Sequence, residues 1–249
     1  TLRPPLYRLD PDELRAAITP KTRVILVNSP HNPTGAVLDQ TELQVIADLA
    51  IEHDLIVVSD EVYEHLTYDG IKHVSIASLP GMKERTLVIS SGGKTFNTTG
   101  WKVGWVCGPA AMVAAARAAK QFLTYVSSGP FQPAIATGLR LPDSYFTALA
   151  ADLEGKRNHL MKGLTQAGFE VYKPQGTYFI TVDIRPIQSD GDGYEFCRSL
   201  PHKCGVVGIP NVVLYDRAHQ HAGRNLVRFA FCKQYDMIDD AVSRLKSMS

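Results

Sequence analysis

Three short, almost wholly apolar runs set what this chain can fold into. RVILVNSP (residues 23–30), LIVVSD (55–60) and TLVISS (86–91) are rich in Val, Ile and Leu and lack the strict alternation of a strand with one wet face. Runs of this kind fit strands buried on both faces, as in a parallel sheet. Between them, residues 41–53 place Leu43, Ile46, Leu49 and Ala50 on one helical stripe. Upstream, Pro11-Asp12-Glu13-Leu14 opens a short helix with acids suited to its N-terminal dipole. KVGWVCGP (102–109) reads as a fourth strand. Strand and helix patterns that alternate in this way predict an α/β layer on a largely parallel sheet.

The texture then changes. Residues 109–125 form an Ala-rich helical stretch, and a long helical pattern over 142–167 is stopped by Gly168. FEVYKPQGTYFITVDI reads as two strands around a turn at 174–176, GVVGIP and NLVRFAFC as two more short strands, and MIDDAVSRLKSM as an amphipathic helix. The expected organisation is a larger α/β domain over residues 1–140 and a smaller α+β domain over 141–249. The net charge is +1 and no run of like charge occurs, which argues against a nucleic-acid or membrane-surface partner. No stretch is apolar enough to span a bilayer, and TLRPPLYRLD lacks the apolar core of a signal peptide. Cys107, Cys197, Cys204 and Cys232 show neither CxxC pairing nor metal-like spacing, so buried reduced thiols and a cytoplasmic setting are expected.

Four local features carry chemistry, each with a bland alternative. Asn32-Pro33-Thr34-Gly35 follows the first strand and is made of turn residues, yet loops at the carboxyl ends of parallel strands line ligand sites. Asp60 ends the second strand: it is either an N-cap for the next segment or a carboxylate facing a protonated heterocyclic nitrogen, with Tyr63 close by. Lys94 follows the third strand and two glycines. It is either a solvated loop lysine or, if desolvated at a ligand, an amine able to form a Schiff base, with Ser91 and Lys102 suited to phosphate. Arg228 lies in an apolar strand and needs an anion, either an internal acid or a substrate carboxylate gripped at two points.

Taken together, HNPTG, SDEVY, SGGKTFNTTGWKVGW and an arginine in a C-terminal strand resemble the class I/II aminotransferases of fold type I. SPHNPTG, DEVYEHL and GTYF are closest in texture to the kynurenine, methionine and N-succinyldiaminopimelate aminotransferases. The resemblance covers essentially the whole chain. It implies a pyridoxal 5'-phosphate enzyme in which residues 1–140 are the C-terminal part of the cofactor-binding large domain. Lys94 would carry the cofactor as a Schiff base and act as general base. Asp60 would pair with the pyridine nitrogen, Asn32 and Tyr63 would bond the ring's phenolic oxygen, and Ser91 and Lys102 would bind the phosphate. Arg228 would take the substrate α-carboxylate, with Tyr178 near the substrate pocket. The expected reaction moves an amino group from an L-amino acid to a 2-oxo acid. A β-elimination (C–S) lyase or an aminotransferase-like regulatory domain are the alternatives on this scaffold. Family members are typically homodimers, and they carry a further N-terminal stretch with a glycine-containing phosphate loop and a ring-stacking aromatic, so the chain is expected to be a fragment. Asn211-Val212-Val213 departs from the family's serine and aromatic in that loop, so substrate preference is expected to differ.

Overall fold

The computed structural model describes residues 1–248. They group into two compact units: Leu9–Pro30 with Val37–Leu149, and Thr1–Arg8 with His31–Ala36 and Ala150–Ser249.

In the first of these units, α1 (Pro11–Ala17) is capped by Asp10, whose side chain accepts from the Asp12 and Glu13 amides. Strand β1 (Val24–Asn28) is followed by α2 (Gln40–Glu52), which starts from a reciprocal capping box between Asp39 and Glu42. Then come β2 (Ile56–Asp60), β3 (Thr86–Ser91), the single turn α3 (Gly92–Thr95) and β4 (Gly104–Cys107). The sheet order is β1-β2-β3-β4, with β1, β2 and β3 parallel and β4 antiparallel. Ile25 and Val57 from the sheet pack with Leu43, Ile46 and Ala47 of α2, the stripe read from the sequence. Helices α4 (Ala110–Leu123) and α5 (Gln132–Gly138) follow.

The sheet corrects one expectation. The run in β1 is apolar throughout, but only one face is covered: Ile25 is buried, whereas Val24 and Leu26 are 47% and 72% exposed. Side chains alternate between faces along a strand, so a continuous apolar run leaves its second set of side chains bare when nothing in the chain packs on that face. Helix α4 likewise buries none of its residues. The cysteines differ from expectation too. All four are free, but only Cys197 is buried, which pushes its thiol up to about 12, while Cys107 is exposed.

Helix α6 (Asp143–Gln166) contributes Leu153, Leu160 and Leu164 to the core of the other unit, which takes in the chain from Ala150 onward. Strands β5 (Glu170–Tyr172) and β6 (Phe179–Asp183) form the expected hairpin. Helix α7 (Gly193–Cys204) was not read from the sequence, although Asp192 caps it and Gly205 ends it. Of GVVGIP only β7 (Ile209–Pro210) is a strand, and β8 (Leu226–Ala230) and α8 (Tyr235–Lys246) complete the unit. Its sheet is antiparallel throughout, in the order β5-β6-β8-β7. Phe169 packs edge-on against Phe196 and Phe229 at its centre. No helix among the described residues is long and apolar enough to cross a membrane.

One carboxylate is buried beneath the parallel sheet's carboxyl end. Glu61, 2% exposed, accepts from the Ser59 and Ser75 hydroxyls at 2.8 Å each, and His73 Nε2 lies 2.9 Å from its other oxygen. Burial works to raise its pKa. The hydrogen bond and charge of His73 and the two hydroxyls outweigh burial and hold the carboxyl below its usual 4.5. A carboxyl depressed in the folded state adds stability that is complete above its unfolded value and lost as pH falls through the folded one. Glu61→Gln is expected to cost about 2 kcal/mol at neutral pH, on the scale of a hydrogen bond to a charged group. It should also flatten the loss of stability below about pH 4.5. Urea denaturation of both forms across that range measures the two effects.

Candidate active site

The parallel strands β2 and β3 end in two of the candidate residues, Asp60 and Ser91. Asn28, Asp60 and Ile89 lie in register across β1, β2 and β3. Asn28 Nδ2 donates to the Asp60 carbonyl at 3.0 Å, and the Ser29 amide donates to it at 3.1 Å. The Asp60 carboxylate accepts from the Val62 amide at 3.3 Å, within a turn. It thereby caps that turn rather than a helix, the local role that the sequence offered beside the functional one. Tyr63, 2% exposed, follows in the same turn.

Ser91 ends β3 and caps α3, its Oγ accepting from the Gly93 amide at 3.2 Å. Lys94 therefore sits in a helical turn, half-buried, and its Nζ lies 5.9 Å from the centre of the Tyr63 ring. The turn is tied down from the next segment, where the Thr98 and Thr99 hydroxyls donate to the Gly92 and Gly93 carbonyls. Gly92 leaves no room for a side chain. A Cβ there would lie 2.6 Å from Ile135 Cδ1, so the close approach that glycine permits is made by a side chain of α5. Lys102 is exposed, in a left-handed conformation at φ 56° that closes the short helical turn Thr99–Trp101.

Asn32, Tyr178 and Arg228 belong to the unit that contains β6 and β8. Arg228 is half-buried, in contrast to its neighbours Val227 and Phe229, and its guanidinium lies over the Phe179 ring at 4.1 Å. Its Nη1 donates to Asn32 Oδ1, a pairing that no sequence spacing could have revealed. The loop that carries Asn32 is fixed on both sides. Thr181, opposite Arg228 in the ladder, donates from its hydroxyl to the Pro33 carbonyl, and Asn211 Nδ2 donates to that same hydroxyl. His31 Nδ1 bonds Thr34 Oγ1 at 2.8 Å, and burial lowers its pKa to about 4, so the loop is neutral at physiological pH. Tyr178 stands beside Phe179 with ring centres 4.6 Å apart. Asn211, noted in the sequence as a departure, is 1% exposed and serves this support. Among the described residues no group of three His, Cys, Asp or Glu is placed to hold a metal.

A family model described as aminotransferase class I and II matches residues 2–245. The chain belongs to this family. It is 49% identical over 98% of its length to a probable N-succinyldiaminopimelate aminotransferase of Mycobacterium tuberculosis, and 42% identical over 91% to a kynurenine–oxoglutarate transaminase of Dictyostelium discoideum. It spans 62% and 57% of those relatives' lengths. The solved N-succinyldiaminopimelate aminotransferase of M. tuberculosis superimposes with a TM-score of 0.93 at 50% identity, over 98% of this chain and 62% of that one. A methionine aminotransferase from Escherichia coli gives 0.91 at 34% identity, over 99% and 64%. The architecture is that of fold type I aminotransferases, a mostly parallel sheet with helices and a second, antiparallel sheet.

In this chain, Gly92→Ala is expected to cost about 1–3 kcal/mol by overpacking against Ile135. In an Ile135→Ala background, where the room exists, the same Gly92→Ala change should cost far less. Denaturant midpoints of the two single variants and the double variant would expose the coupling, and simple additivity would contradict it.

Proposed function

We propose that this chain carries the cofactor- and substrate-handling residues of a pyridoxal 5'-phosphate-dependent aminotransferase that moves an amino group from an L-amino acid to a 2-oxo acid. The observation that carries the reading is the half-buried Lys94 amine, held in a turn capped by Ser91 and standing beside the Tyr63 ring. The donor set suits the group. Asp60 is a carboxylate for a pyridinium nitrogen, and Tyr63 and the Asn32 amide are donors for the phenolic oxygen. Ser91 and Lys102 offer a hydroxyl and a point charge for phosphate, and Lys94 offers an amine for the aldehyde carbon. Bound there, the cofactor supplies an electron sink for the pair left at Cα when a proton departs.

The chain's own groups do the rest. Lys94 holds and returns the proton moved from Cα, as a general base released from covalent duty. Asp60 keeps the ring nitrogen protonated, which maintains the sink. Arg228 takes the substrate carboxylate in its planar fork, with Phe179 beneath it and Asn32 beside it. Tyr178 lines the substrate side. The relatives named for N-succinyldiaminopimelate, kynurenine and methionine support amino-acid donors of varied side chain.

Borohydride reduction of the cofactor-loaded protein, followed by peptide mapping, is expected to place the cofactor mass on Lys94. Lys94→Ala should lose both that adduct and turnover, and an adduct elsewhere would overturn the assignment. Asp60→Ala should load cofactor yet slow turnover by roughly a thousandfold, about 4 kcal/mol of barrier.

The intact enzyme is proposed to be a homodimer. Support comes from the run of bare apolar side chains at the end of α4, where Phe122, Leu123, Tyr125 and Val126 are 68–90% exposed. Exposed apolar side chains gathered in one run are of the kind that association covers. Sedimentation should give twice the protomer mass, and Phe122→Asp should shift it toward one. A fully active monomer would refute the dimer.

A further inference from the structure

Helix α6 buries a charge along its apolar stripe. Leu153, Arg157, Leu160 and Leu164 recur at helical spacing, and Arg157 is 0% exposed. A leucine would satisfy the packing there, and a buried guanidinium is costly unless its donors are met. Arg157 Nη1 donates to the Pro174 carbonyl at 3.0 Å, Nε and Nη2 donate to Asn158 Oδ1, and Nη2 also reaches Glu154 Oε1 at 3.3 Å.

Pro174 begins the turn between β5 and β6. The next two amides, Gln175 and Gly176, both donate to the Gly35 carbonyl, at 2.9 and 2.8 Å. The contact is close on both sides. Gly35 sits at φ +72°, and a Cβ there would lie 2.3 Å from Pro174 Cβ. Gly35 closes the loop His31–Ala36, whose ends are joined by His31 N to Ala36 O and Gly35 N to His31 O. A loop closed on itself moves as one piece, and Asn32 within it accepts from Arg228.

We propose that Arg157 is a positioning residue for carboxylate recognition: by holding the Pro174 carbonyl it sets the turn that seats the Asn32 loop, and so fixes the plane in which Arg228 presents its fork. This deepens the reading of Arg228 given above and rests on it. The guanidinium touches no substrate. Its effect reaches the site through two backbone amides and one carbonyl.

The test uses the intact, cofactor-loaded protein. In Arg157→Met, which keeps bulk and removes the donors, exchange of the Gln175 and Gly176 amides should quicken by about tenfold or more while α2 is unaffected. In single-turnover and steady-state kinetics, KM for an L-amino acid should rise about tenfold, and the loss for the matching amine without a carboxylate, which reads only what the Asn32 loop does at the cofactor, should be clearly smaller. Gly35→Ala pries the same contact apart from the other side and should give the same pattern, so it decides the matter if Arg157→Met does not accumulate as folded protein. Unchanged exchange at both amides overturns the clamp. Equal losses for amino acid and amine overturn its role in recognition. Arg228→Lys serves as the reference. If that variant also fails to separate amino acid from amine, the reading of Arg228 falls, and the exchange result still judges the clamp on its own.

Discussion

The parallel pairing of β1, β2 and β3 is the constraint from which the candidate cofactor residues follow. A parallel ladder sends all its carboxyl ends to the same edge, and the register Asn28–Asp60–Ile89 fixes which residues emerge there. Asp60 arrives at the end of β2, and β3 runs two residues further to Ser91, from which α3 and Lys94 start. A slip of one residue in any of these strands would swap its two faces. Ile25 and Val57 would turn away from α2, so the packing that fixes the register also fixes where the polar ends stand.

Much of this was legible because the signals were local. The positions of the apolar strands, the apolar stripe of α2 and the stop at Gly168 are each decided within a few residues, and each was read from the sequence; the Asp39–Glu42 cap is as local but was not read. What the sequence hid was decided by partners. Leu26 looks like a core residue in RVILVNSP and is bare, because period-two geometry puts it on the uncovered face. Helix α7 carried its cap at Asp192 and its stop at Gly205, but Pro201 near its end reads as a breaker. Glu61 stood in the shadow of Asp60, and nothing in SDEVY says which of two adjacent acids turns inward.

Buried charge follows a consistent pattern. Glu61 is met by two hydroxyls and an imidazole; Asp183, 0% exposed, is met by Arg185 and Asn225; Arg157 is met by a carbonyl, an amide oxygen and a carboxylate. Each is satisfied through several partners, as expected where a lone charge would be expelled. In Arg157 the signal was present all along, as a basic residue on a leucine stripe, and burial alone distinguishes it from the solvated charges on the other faces of α6.

The contact between Arg228 and Asn32 has an implication for what the loop can read. A primary amide has one accepting end and one donating end, and the accepting end here is turned to the guanidinium. Turning the amide over would set donor against donor, so the cation dictates the orientation. The end directed elsewhere is a donor, and it favours ligand atoms that present lone pairs over those that present hydrogens. One side chain thus carries a polarity from the arginine through to whatever the loop meets, and aspartate in its place could still hold the arginine but would invert that preference.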